Sequence, residues 1–377
     1  MTDPVSIEDA ITKVTMPKWG LSMKSGKITS WFVAEGDEVA EGDELADIDT
    51  DKIAGALESP GPGVVRRITA ETDEDIPVGG TIALIAPADV PEELIDEAAR
   101  AAREELDSGA VDEVAGPVLG AVRVSGRTIS YATLGTAEET VLLVHGYGGD
   151  KNSWLFVQEP LSARATVHTI DLPGHGDSTK DVGDGSLDTL ADALLGFLEE
   201  RGIQHVHLVG HSLGGAVVTA AAAREPGKVA SLTLVAPAGY GDTINADYLR
   251  GFASASSRRE LRPHLAQLFA DPGHVTRQLA DDLMKFKRLD GVQQALDSLL
   301  GTLLDGDRPG IDAAGLLQEF TGPVRVVWGR ADQVLPAANA AALEGRAPVT
   351  YVDDAGHMVH MEQPSAVVDA VTGALDG

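Results

Sequence analysis

The 377-residue sequence contains no cysteine. That excludes disulfides, thiolate metal sites and a cysteine nucleophile, and it fits a reducing compartment such as the cytoplasm. Positive charge is also scarce: 29 Lys plus Arg face 59 Asp plus Glu, a formal charge of −30. Such a surface repels nucleic acid and anionic membrane, so neither is an expected partner; solubility is the plain reading of the charge. No apolar run approaches the ~20 residues of a membrane span, and Met1–Ala10 lacks a basic-then-apolar leader. His205 and His207 alternate on a strand without metal spacing, and no metal site is expected. What is present is 43% hydrophobic residues in a chain long enough for two domains.

The first stretch repeats itself at an offset of 37 residues. Val39 matches Ile76, Gly42 matches Gly79, Leu45 matches Ile82 and Ile48 matches Ile85. Each half reads as an acidic turn, a short strand, a Gly turn and a second strand, which predicts a small flattened β-barrel of two similar half-sheets. Asp73 stands where the first half has Gly36, and Asp tolerates positive φ better than most residues. Lys52 lies between the halves in Asp49-Thr50-Asp51-Lys52-Ile53, where a hairpin would present it at a tip.

Glu35-Gly36-Asp37-Glu38-Val39, the Asp-Thr-Asp-Lys-Ile stretch, Ser59-Pro60-Gly61-Pro62-Gly63 and Met16-Pro17 resemble the lipoyl domains of 2-oxo acid dehydrogenase complexes over about Val14 to Ala86. The resemblance implies lipoic acid bound covalently to Lys52. Related biotin carriers flank their lysine with methionines, whereas here the flanks are Asp51 and Ile53. Pro87 to Pro117 is acidic and lacks β-alternation. It reads as a tether in which Glu92 to Leu106 can form a helix with a weak apolar face of Leu94, Ala98, Ala101 and Ala102.

From Val118 onward strands alternate with helices, which argues for a mostly parallel, doubly wound sheet. Within it Gly210-His211-Ser212-Leu213-Gly214 follows an apolar strand and precedes an Ala-rich helix. This is a nucleophile-elbow pattern: the sharp turn exposes Ser212 at a helix N-terminus, and glycines remove side chains that would clash. A serine hydroxyl needs a base. In the order nucleophile, acid, base, Asp332 and His357 each follow a strand and are the candidates. Two competing readings are that Asp332 only caps a helix before Pro336, and that His360 is the base. His145-Gly146-Tyr147-Gly148-Gly149 also follows a strand, and the amides of Tyr147 and Leu213 are the candidate oxyanion hole. His145 and His175 read as structural.

These residues resemble the α/β-hydrolase superfamily over about Val118 to Asp376, with a helical cap at about 242–320. The expected division is therefore residues 1–86, a linker over 87–117, and 118–377. The cap holds Arg258, Arg259, Arg262, Lys285, Lys287 and Arg288, which suit either the phosphates of coenzyme A or an ordinary solvated helix face.

Together, the two modules resemble the acyltransferase component of bacterial acetoin dehydrogenase complexes. The His-x-x-x-Asp-Gly run of the usual 2-oxo acid acyltransferase is missing, so any transfer needs other chemistry. The resemblance implies acetyl transfer from Lys52-bound lipoate to coenzyme A through Ser212. It also implies partnership with a thiamine-dependent dehydrogenase component and dihydrolipoamide dehydrogenase, in a homo-oligomeric cytoplasmic assembly. The competing enzyme reading is a serine hydrolase of an ester, thioester or carbon–carbon bond with an appended carrier domain. A non-enzymatic scaffold is a third reading, opposed by the intact Ser/Asp/His set.

Overall fold

Residues 11–17, 23–40, 42–49, 54–108 and 116–377 are described by a computed structural model, in which the chain separates into two units, Met1–Gly116 and Pro117–Gly377. The first unit carries strands β1 (Thr12–Thr15), β2 (Ser25–Trp31), β3 (Glu38–Val39), β4 (Glu44–Asp49), β5 (Ala54–Glu58), β6 (Gly63–Ile68), β7 (Asp75–Pro77) and β8 (Thr81–Ala86). They form two four-stranded sheets, ordered β1-β8-β6-β3 and β5-β4-β2-β7. The sequence repeat is visible as an exchange between halves: β3 pairs with β6, and β7 pairs with β2. Val39, Ile76, Leu45, Ile82, Ile48 and Ile85 are all buried in one core. The turns repeat too, with φ of 98° at Gly36 and 65° at Asp73, and 87° at Gly42 and 85° at Gly79.

Helix α1 (Glu92–Ser108) belongs to this unit rather than floating in a tether. It buries Ile95 and Ala102, with Ala98, Ala99 and Leu106 half-buried beside them, so Ala98 and Ala102 of the expected face pack inward while Ala101 is exposed. Ile95 packs with Leu84 and Ala86 of β8, and burying one such side chain contributes about 1.5–3 kcal/mol. Arg66 pairs with Glu92 at 2.6 Å and Arg103 with Glu74 at 2.8 Å. These rim pairs fix orientation more than they stabilise, since exposed ion pairs give about 0–1 kcal/mol.

The second unit begins with β9 (Val118–Val124), β10 (Arg127–Leu134), β11 (Thr140–Val144), α2 (Leu155–Ser162), β12 (Thr166–Ile170), α3 (Leu187–Glu200), β13 (Val206–His211), α4 (Leu213–Arg224) and β14 (Val229–Val235). A cap follows: α5 (Ala246–Ser254), α6 (Arg258–Leu265), α7 (Arg277–Lys287), α8 (Val292–Leu303), the short pair β15 (Leu304–Asp305) and β16 (Arg308–Pro309), and α9 (Ala313–Leu316). The chain then returns through β17 (Val324–Gly329), β18 (Val349–Val352), α10 (Val359–Glu362) and α11 (Pro364–Leu375). The eight-stranded sheet is ordered β18-β17-β14-β13-β11-β12-β10-β9, parallel from β18 to β12 and antiparallel at β10 and β9. Helices cover both faces, which explains the unbroken apolar run of β11: Leu142 and Val144 join one core with α3 and α4, while Val141 and Leu143 join the other with α2 and α11. The candidate site residues therefore collect beyond the C-terminal ends of β11, β13, β17 and β18, as in open α/β sheets generally.

Candidate active site

Ser212 is the single residue between β13 and α4, and its backbone sits at φ 51°, ψ −119°. A non-glycine residue held there costs on the order of 1–3 kcal/mol and persists only where its surroundings over-determine it. They do so here by close packing. A Cβ on Gly210 would lie 2.4 Å from the Gly214 carbonyl oxygen, one on Gly214 2.3 Å from that of Val144, and one on Gly215 2.7 Å from Pro237 Cβ. The Ser212 N–H donates to Val235 at 3.0 Å, and its carbonyl accepts from Ala238 at 2.9 Å.

Asp332 lies in the loop after β17 and His357 in the loop after β18. Asp332 Oδ2 accepts from His357 Nδ1 at 2.8 Å, with both side chains buried. Asp332 Oδ1 accepts from the amides of Val334 and Leu335 at 2.8 and 2.9 Å. The capping and orienting readings of Asp332 thus describe two oxygens of one carboxylate. With Nδ1–H committed to the carboxylate, the neutral imidazole of His357 keeps its lone pair on Nε2. His211, the residue before Ser212, donates from Nε2 to the His357 carbonyl at 3.0 Å, and the two rings lie 4.7 Å apart. That contact brings the serine and histidine loops together, although the Ser212 hydroxyl itself makes no hydrogen bond among the described residues. His360 is fully buried, with both ring nitrogens unpartnered, its ring 4.5 Å from that of Trp154 and 4.5 Å from that of His211. Burial holds its pKa down to about 3, so it is a neutral packing group with no carboxylate to orient it.

The loop after β11 lies directly against the elbow: a Cβ on Gly146 would be 2.9 Å from Ser212 Cβ. The Tyr147 amide has no acceptor among the described residues. Leu213 opens α4, so its N–H has no carbonyl four residues back. The Tyr147 hydroxyl donates to Leu296 of α8 at 3.0 Å, anchoring this loop to the cap. Two neutral imidazoles shape the loop from below. His145 Nε2 accepts from Leu172 N–H at 3.0 Å while its Nδ1 donates to Gly146. His175 Nε2 accepts from Gly148 N–H at 3.1 Å, and burial pushes its pKa down to about 3. Lys151, buried, holds Asp171 and Asp177 at 2.7 Å each, joining the loops after β11 and β12.

The basic cap residues do not act alike. Lys287 is buried and donates to the Phe252 and Ala253 carbonyls at 2.8 Å, so it caps α5 rather than facing solvent. Arg258, Arg259, Arg262 and Arg288 are all exposed, and Arg258 pairs with Asp281 at 3.1 Å. In the first unit, β4 and β5 pair antiparallel with Asp49 opposite Ala54. Lys52 falls between them, outside the described residues. Among the described residues no group of three His, Asp or Glu side chains is placed to hold a metal ion, and no helix is long and apolar enough to cross a membrane.

Residues 139–364 match the family described as alpha/beta hydrolase fold, and residues 12–85 the family described as biotin-requiring enzyme. A Pseudomonas putida protein named dihydrolipoyllysine-residue acetyltransferase component of acetoin cleaving system is 44% identical over 359 residues, covering 95% of this chain and 96% of that protein. A Cupriavidus necator protein of the same name is 43% identical, covering 95% of each. The chain belongs to this acetyltransferase family. A solved meta-cleavage product hydrolase from Pseudomonas fluorescens, 21% identical, shares the fold with a TM-score of 0.61 over 68% of this chain and 97% of that one.

In this family member, sequence reasoning missed two groups at the site. His211 reads only as an intervening elbow residue, and its contact with the His357 carbonyl is a long-range one. Lys151 follows a Gly-rich loop and gives no local sign of its two carboxylate partners.

Proposed function

We propose that the chain moves an acetyl group from lipoyl-Lys52 to coenzyme A through an acetyl-Ser212 intermediate. The observation that carries this reading is the buried Asp332–His357 pair, 2.8 Å long, with the His357 loop tied to the Ser212 elbow by His211. When bound, the lipoyl group supplies a thiol that carries the acetyl group as a thioester. His357 Nε2 takes the Ser212 hydroxyl proton as Oγ bonds to the acetyl carbonyl carbon. The carbonyl oxygen, now negative, accepts from the Tyr147 and Leu213 amides; losing one such donor costs ~3 kcal/mol. Collapse breaks the C–S bond, and His357 returns the proton to the departing sulfur. The coenzyme A thiol then gives its proton to His357 and attacks the acetyl-serine, releasing Ser212 with its proton restored. One thioester is exchanged for another with no change of oxidation state.

The same reading assigns residues 1–86, with helix α1 packed on them, to the carrier, the remainder of 87–117 to the link and 118–377 to catalysis, in a cytoplasmic complex. A thiamine-dependent component loads the carrier and dihydrolipoamide dehydrogenase reoxidises it. Arg259, Arg262 and Arg288 remain the exposed cap groups suited to coenzyme A phosphates. Fully lipoylated Ser212→Ala protein is expected to lose acetyl-coenzyme A formation. Undiminished transfer would end the serine mechanism.

A further inference from the structure

An acyl-serine is open to water as well as to a thiol unless the site is closed, so whatever joins the cap to the His357 loop matters. That junction is a crossing of two backbone segments. Residues 268–270, at the end of the α6 region of the cap, run against residues 356–358. The amides of His357 and Met358 both donate to the Leu268 carbonyl, at 2.8 and 3.1 Å. A Cβ on Gly356 would lie 2.8 Å from Ala270 N and 2.8 Å from Leu268 O, so only glycine permits the approach. One side chain spans the crossing. Glu362, the last residue of α10, accepts from the cap amide of Ala270 through Oε1 and from the Gly356 amide through Oε2, each at 2.7 Å. Neither amide has another acceptor among the described residues.

We infer that Glu362 is a positioning residue that locks the cap to the His357 loop and so directs the acyl group to thiol rather than water. The inference rests on the acyl-enzyme reading above. Charge-assisted hydrogen bonds are the strong ones, and a carboxylate offers acceptors in two directions at once. A carboxamide cannot do the same: its oxygen satisfies one amide while its NH2 opposes the other. Aspartate is one methylene shorter and cannot span both.

The test uses full-length lipoylated Glu362→Gln and Glu362→Asp with acetyl-dihydrolipoamide as donor and coenzyme A as acceptor. Acetate and acetyl-coenzyme A are measured together, alongside amide hydrogen exchange. The expected result for Glu362→Gln is a rise of about tenfold in the acetate to acetyl-coenzyme A ratio, the size of one lost charge-assisted bond. Exchange should rise together in 264–272 and 352–358 and stay unchanged in β13 and α3. A purely structural loss would lower both products equally and leave their ratio fixed. An unchanged ratio, or faster exchange in only one segment, overturns the inference. If the variants do not fold, wild-type exchange decides: the Ala270 and Gly356 amides must open with the same denaturant dependence, and independent opening overturns the lock. Transfer that survives Ser212→Ala would remove the acyl-enzyme instead, and the exchange coupling would still report on Glu362 by itself.

Discussion

Both units hold non-glycine residues at positive φ, and Asp73 in the first and Ser212 in the second, one of three there with Ser125 and Ala236, are held for different reasons. Asp73 in the first unit, at φ 65°, occupies a turn whose repeat partner, Gly36, is open: a Cβ there would have nothing within 4 Å. Ser212 in the second, at φ 51°, is enclosed by Gly210, Gly214 and Gly215, where a Cβ would meet neighbouring atoms at 2.3 to 2.7 Å. The first turn needs only a conformation, so an acidic residue can replace glycine when the repeat diverges. The second needs a conformation and empty space together, and it aims a side chain. On the proposed reading, the carrier tolerates drift in its turns and the Ser212 elbow does not.

The largest expected effect separates the units by function. Ser212→Ala should lower acetyl transfer by at least about 10³-fold with both a free acetyl-dihydrolipoamide donor and the carrier-bound one. Lys52→Arg should abolish only the carrier-bound reaction and leave the free donor unaffected. Product assays with both donors check this. A Lys52→Arg chain that also fails on the free donor would mean the first unit does more than carry. Next, Asp332→Asn should lower transfer by about 10³- to 10⁴-fold by presenting the wrong tautomer of His357, with little change in the fold.

The division between units also bears on what is legible in the sequence. The repeat, the elbow and the strand–helix alternation are local patterns, and Val39, Ile76, Leu45 and Ile82 lie in the core as their spacing predicted. Partnerships across long separations were not legible. Glu362 binds Ala270 across 92 residues, and nothing near Glu362 signals that its partners are backbone amides. The buried face of helix α1 is only partly legible for the same reason: Ala98 and Ala102 lie on the expected face, but Ile95 does not, and it acquires its role only once Leu84 and Ala86 are placed beneath it.

Acid should distinguish the units next. Every histidine lies at position 145 or later, so the first unit has none. Burial holds His175 and His360 each near a pKa of about 3, against an unfolded value of about 6.5. Between those values the unfolded chain binds more protons, so stability rises with pH through the window and is complete above it. As pH falls below about 6.5, these two groups should cost the second unit about 3 kcal/mol per pH unit together. Calorimetry from pH 7 to 5 should show its transition falling while that of the first unit stays fixed. Parallel movement of both would show that the buried imidazoles are not the cause.

The same substitution at Ser212 and at Asp73 gives the finest test. Ser212→Gly should remove activity and raise the stability of the second unit by about 1 kcal/mol, because it releases backbone strain that function requires. Asp73→Gly should do almost nothing. The Asp73 amide donates to Ile28 at 2.8 Å as the Gly36 amide donates to Val65 at 2.7 Å, and Glu74 caps Glu71 as Asp37 caps Ala34. The turn therefore keeps its bonds whichever residue is present. Relief of a left-handed aspartate is opposed by the greater freedom glycine gives the unfolded chain, and both effects are about 0.5–1 kcal/mol. Chemical denaturation should find the Asp73→Gly protein and its parent within about 0.5 kcal/mol of each other. A gain at Asp73 as large as that at Ser212 would mean the carrier turn is strained as well, and the difference between the two turns would then lie only in what their side chains do.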